Sequence, residues 1–195
     1  MGIFGIFVSN FVSEFLKGNK CLINPAFEAA QHSTLSDMAN ERRTYFPSQR
    51  PILVVLTSEA DQATGIAFTI GQSLATIFES DRVVTRTNAV TRQEGEFDQR
   101  QTSITAVGHL APYRTHYLRA VEVAPQRMEP TMAEEAIMLS NIGNSWQQDK
   151  PGNIIKFRGS VLERTLNSVG RNPYLIVKVD EKLIPNHSDI YDPRI

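Results

Sequence analysis

A single cysteine, Cys21, rules out an intramolecular disulfide, and its place in the apolar run Lys20-Cys21-Leu22-Ile23-Asn24 reads as core. Charge of one sign is also missing. The formal net charge is −1, so electrostatics recommend neither nucleic acid nor an anionic membrane as partner. No apolar run is long enough to span a bilayer. The apolar start, Met1-Gly2-Ile3-Phe4-Gly5-Ile6-Phe7-Val8, lacks the basic region and small-residue cleavage site of a signal peptide. Ile6 stands where a myristoylation signal needs Ser or Thr. With the lone cysteine, these features point to the cytoplasm. Cys-x-x-Cys, His-Glu-x-x-His and a glycine-rich phosphate loop are all lacking, and His109 and His116 are separated by Pro112, so neither a metal nor a cofactor is expected. The absence with most consequence is that of a Gly-x-Ser-x-Gly nucleophile elbow anywhere in the 195 residues.

What is present is the pattern of an α/β domain, and the length fits one domain with a real core. Residues 3–17 place Ile3, Phe4, Phe7, Val8, Phe11, Val12, Phe15 and Leu16 at helical spacing, and Gly18-Asn19 reads as the stop. Lys20 to Asn24 is a short strand ended by Pro25, and Phe27 to Ala30 starts a helical turn. Residues 31–50 are polar and read mostly as loop. The near-continuous run Ile52-Leu53-Val54-Val55-Leu56 suggests a parallel strand covered on both faces. Residues 62–78 read as a helix with Ile66, Ile70, Leu74, Ile77 and Phe78 on one side. Residues 80–105 hold few apolar side chains and read as a long surface loop, a lid or a flexible segment. A helix is expected over 132–148, one or two edge strands over 154–165, and a core strand from Tyr174 to Val179. The alternation of strand and helix predicts a mainly parallel sheet with flanking helices.

Two residues carry candidate chemistry. Asp61 follows the strand ending at Leu56, in the turn Thr57-Ser58-Glu59-Ala60-Asp61. Groups past the C-terminal ends of parallel strands are placed for catalysis, and an acid there can orient a histidine. It can equally be the N-cap of the following helix, a role open to Ser58 and Glu59 too. His187 lies in Pro185-Asn186-His187-Ser188-Asp189, just past the last apolar strand. It reads either as a general base held by a partner or as an exposed tail histidine paired with Asp189. Gly71-Gln72-Ser73-Leu74-Ala75 is a relaxed elbow, but its helical surroundings place Ser73 inside a helix rather than at an exposed strand-to-helix turn.

Four segments together resemble a group of bacterial esterase-like α/β-hydrolases: Asn24-Pro25-Ala26-Phe27-Glu28-Ala29, Val55 to Gly65, Gly108 to His116, and Ile184 to Ile190. The resemblance covers about residues 20–195. It implies a partial α/β-hydrolase fold, Asp61 as the acid and His187 as the base of a triad. It departs at the front, where the family's nucleophile would fall near Ile3. The chain then corresponds to the C-terminal half of a hydrolase, inactive alone for want of its serine, whose ligand is an ester or acyl small molecule. Its partner would be an N-terminal hydrolase half or a second copy. The alternative is a non-catalytic pseudoenzyme or binding module that uses the remaining pocket or an exposed sheet edge.

Overall fold

The computed structural model describes residues 20–40, 45–46, 49–75, 83–121, 153–157, 159–166 and 168–187, and singly Ile137, Ser140, Asn144 and Trp146. The helix expected over 3–17 therefore lies outside the described residues. So does most of 132–148, of which the four single residues are helical.

The strands are β1 (Lys20–Ile23), β2 (Leu53–Ser58), β3 (Val83–Thr87), β4 (Glu94–Asp98), β5 (His116–Ala120), β6 (Ile154–Phe157), β7 (Ser160–Arg164) and β8 (Tyr174–Val179). The helices are α1 (Ser33–Ala39), α2 (Phe68–Ala75) and α3 (Gln99–Ile104). Six strands form one sheet in the order β1-β2-β8-β5-β7-β6. The first four run parallel, and β7 and β6 are antiparallel additions. The expected mainly parallel α/β architecture is present.

The apolar runs of β2 and β8 have a direct cause. Val54, Leu56, Leu175, Val177 and Val179 face one core, which Trp146, Leu183 and Ile184 also join. Val55 and Ile176 face the other side, under Val107, Phe27 and Tyr113. A strand buried on both faces has no position where a polar residue is cheap. Cys21 is partly buried against the main core, and burial pushes its thiol up to about 11.

Three expectations need correction. Residues 31–50 hold α1, whose only buried residue is Ala39. Helical periodicity reports a buried face, and this helix scarcely has one. Residues 80–105, expected as an irregular loop or lid, contain the β3–β4 hairpin and α3. The hairpin is tied to α1 by the Arg86–Asp37 ion pair and by Ala89 N–H, which donates to Asp37 Oδ2 at 2.8 Å. The helix expected over 62–78 is present as a π-helical turn (Ala63–Ala67) running into α2, but its apolar stripe faces outward. Ile66, Ile70 and Leu74 are 57%, 56% and 66% exposed, while Ile77 and Phe78 lie outside the described residues.

Candidate functional site

The site is built where β1, β2 and β8 end together. β1 stops at Ile23, and Asn24 follows in the left-handed region with φ 45, a conformation that asparagine tolerates better than most residues. Its Oδ1 accepts from the Ser58 N–H at 2.9 Å, which fixes the exit of β2. The chain then turns through Glu59 and Ala60 into Asp61, whose side chain is fully buried.

The β8 exit is fixed by packing. Asp180 Oδ1 accepts from Lys182 N–H at 2.9 Å, and Leu183 and Ile184 insert into the main core. Ser58 Oγ donates to the Ile184 carbonyl, joining the two strand ends. Pro185 and Asn186 then lead to His187. As a result, His187 Nδ1 lies 3.1 Å from Asp61 Oδ1, with the imidazole 39% exposed and the carboxylate shielded.

Asp61 is also a cap. Its Oδ1 accepts from Ala63 N–H at 3.1 Å and Thr64 N–H at 3.2 Å. The capping and pairing alternatives are therefore both occupied by one side chain. Asp189, the other possible partner of His187, lies outside the described residues.

The hydrogen bonds constrain where the protons sit. As a carboxylate, Asp61 has none to give, so His187 must present Nδ1–H to it. Neutral imidazole then has its free lone pair on Nε2. The same logic extends inward. Thr64 Oγ1 donates its only proton to Asp61 Oδ2, and it lies 3.0 Å from His109 Nε2. His109 must then be the donor, through Nε2–H. Burial, and next the Lys178 charge, lower the His109 pKa; Asp61 raises it and Arg114 lowers it further. A chain of contacts thus runs from His109 through Thr64 and Asp61 to His187.

Sequence reasoning missed Thr64 and His109, along with two glycines that admit His109. A Cβ on Gly65 would meet His109 Cε1 at 3.0 Å, and one on Gly108 would meet Thr57 Oγ1 at 1.7 Å. The π-helical turn at Ala63–Ala67 is the other local signal, since such turns occur often at functional sites. Neither feature shows in a helical period.

Ser73 lies within α2, as its surroundings predict. His116 is buried in β5, stacked on Trp146 with ring centroids 6.2 Å apart, remote in role from any ligand set. Among the described residues, no group of His, Cys, Asp or Glu could hold a metal ion, and no helix is long and apolar enough to cross a membrane.

Fold and site together define an α/β protein with a mostly parallel sheet and an acid–histidine pair past its strand ends. Compared with family models, with curated proteins and with solved structures, the chain finds no match in any of the three.

Proposed function

We propose that this chain carries the acid–base part of an ester-hydrolysing site of the α/β-hydrolase kind. His187 is the general base and Asp61 the residue that orients it. The observation that carries the reading is the Nδ1–Oδ1 contact of 3.1 Å between a shielded carboxylate and a half-exposed imidazole. That arrangement leaves the basic nitrogen free toward solvent and substrate. The four segments that resemble esterase-like hydrolases support it. No Gly-x-Ser-x-Gly elbow occurs in the chain, so the serine that this base would activate would be supplied by polypeptide other than these 195 residues. The ligand is an ester or acyl small molecule.

The test supplies the nucleophile from outside. With p-nitrophenyl acetate alone, the purified chain should give no acyl-enzyme burst, and a fluorophosphonate should leave Ser73 unlabelled. Added trifluoroethanol should then be acylated, releasing p-nitrophenol, as His187 Nε2 takes the alcohol proton. His187→Ala should lower that reaction by about 10²-fold, the lower end of what a positioned base contributes. An unchanged rate in His187→Ala, or a burst that labels Ser73, would contradict the proposal.

A second reading, that the chain works by association with a partner or a second copy, has its own support. β1 lies at the edge of the sheet among the described strands, and unpaired edges are templates for another chain. The stripe of Ile66, Ile70 and Leu74, on the helical segment after β2, is also exposed. Sedimentation should show self-association, and Ile70→Gln with Leu74→Gln should weaken it. A monodisperse monomer that binds no hydrophobic dye would remove this reading.

A further inference from the structure

Two half-buried cations near the acid–histidine pair have no acid in ion-pair contact among the described residues. Lys178, on β8, registers with Thr57 on β2 and with Tyr117 on β5, so the three stand in one row across the sheet. Arg114 lies over the Tyr117 ring, 5.4 Å from its centroid, and its Nη1 donates to the Tyr117 hydroxyl at 3.1 Å. Two other cations of the described residues do form ion pairs: Arg119 with Glu163 at 3.1 Å, and Arg86 with Asp37. Among the described residues, Lys178 makes only a 3.4 Å contact to the Ser58 carbonyl. Arg114 Nε is shut off from solvent and has no hydrogen-bond partner.

We propose that this pair of cations is a subsite for a carboxylate borne by the ligand, so that the site takes an ester carrying one negative charge. The inference rests on the hydrolase reading only for the word ester. The subsite is continuous with the pair: Lys178 and Arg114 act on His109, which reaches Asp61 through Thr64. The two cations also repel each other. Burial lowers the Lys178 pKa first, and the Arg114 charge next, ahead of the opposing pull of Glu59 and Asp61. Neither acid makes an ion pair with Lys178 or Arg114 among the described residues. Glu59 is on the exposed turn, and both Asp61 oxygens already accept hydrogen bonds. With no acid in ion-pair contact among the described residues, both cations are open to the same partner, one ligand carboxylate. A planar guanidinium beside a mobile ammonium suits that group, because the first offers paired donors and the second a point charge.

The experiment titrates the ¹⁵N-labelled chain with monomethyl succinate and, separately, with its neutral counterpart dimethyl succinate. The anion should bind at least about 10-fold more tightly, a factor within reach of one charge-assisted contact. Lys178→Met and Arg114→Gln should each weaken the anion by about 10-fold, Lys178→Arg should not, and added salt should weaken wild-type binding. Equal affinity for the two esters, or anion binding indifferent to both salt and Lys178→Met, overturns the proposal. The His187 ring resonances separate it from the hydrolase reading. Anion binding that needs Lys178 and Arg114 yet leaves His187 unmoved keeps the subsite and removes the esterase role.

Discussion

Gly108→Ala should destabilise the protein by about 3–5 kcal/mol, at the upper end for a single methyl group. The new Cβ would fall 1.7 Å from Thr57 Oγ1, 2.5 Å from Thr57 Cβ and 2.9 Å from Thr57 Cγ2. A flexible side-chain tip could swing away, but Thr57 Cβ belongs to a buried central strand and cannot. The Val107–His109 turn must therefore lift. That turn is held by Val107 N–H donating to the Phe27 carbonyl at 3.0 Å, so lifting it breaks a buried bond and removes Val107 from its cluster. His109 would leave Thr64 as well. Gly71→Ala is the control: nothing lies within 4 Å of its added Cβ, and in α2 the change should be neutral or stabilising by up to about 1 kcal/mol. Urea unfolding of both variants measures the contrast. A loss below about 1 kcal/mol for Gly108→Ala would mean that the close approach to Thr57 is not as described.

Acid should unfold the protein well before its carboxylates alone would require. His32 and His116 are 2% and 3% exposed. Burial lowers the His32 pKa to about 4, and burial followed by the Arg164 charge lowers that of His116 to about 3. The unfolded chain binds protons on both near pH 6.5, whereas the folded chain does not. Stability is therefore fully present above about pH 6.5 and is lost as pH falls toward the two folded values. At pH 4.5 each histidine should have cost on the order of 2 kcal/mol, and the pair roughly 4–5 kcal/mol. His116→Phe keeps a ring against Trp146 and should flatten its share of this slope. Denaturant unfolding at pH 7.0 and 4.5 supplies the comparison. Equal slopes for wild type and His116→Phe would show that His116 titrates normally in the fold.

The parts of this fold that were legible are those where burial on both faces dictates residue type. β2 and β8 are unbroken apolar runs, and β1 is short but ends at Asn24-Pro25. β5 escaped because His116-Tyr117-Leu118-Arg119-Ala120 carries a buried histidine on one face and cation-stacked Tyr117 on the other. The β3–β4 hairpin escaped because both strands are largely exposed, so no apolar alternation marks them. In α2 the period was correct, but it does not reveal whether the stripe is covered. Asp61 and His187 could be singled out because position past a strand end is a sequence property. Thr64 and His109 could not, because their contact depends on how the turn at Gly108 settles on Thr57. The choice between cap and acid at Asp61 was undecidable from spacing, since one carboxylate holds both sets of partners.

The central claim is that Asp61 fixes His187 with its basic Nε2 free. Long-range ¹H–¹⁵N correlation of the imidazole nitrogens reads this directly. At a pH where His187 is neutral, its proton should be on Nδ1 and its lone pair on Nε2, and Asp61→Asn, whose amide can donate, should shift the population toward the opposite tautomer. A His187 ring found protonated on Nε2 in the wild type, or a tautomer mixture that Asp61→Asn leaves unchanged, would contradict the account.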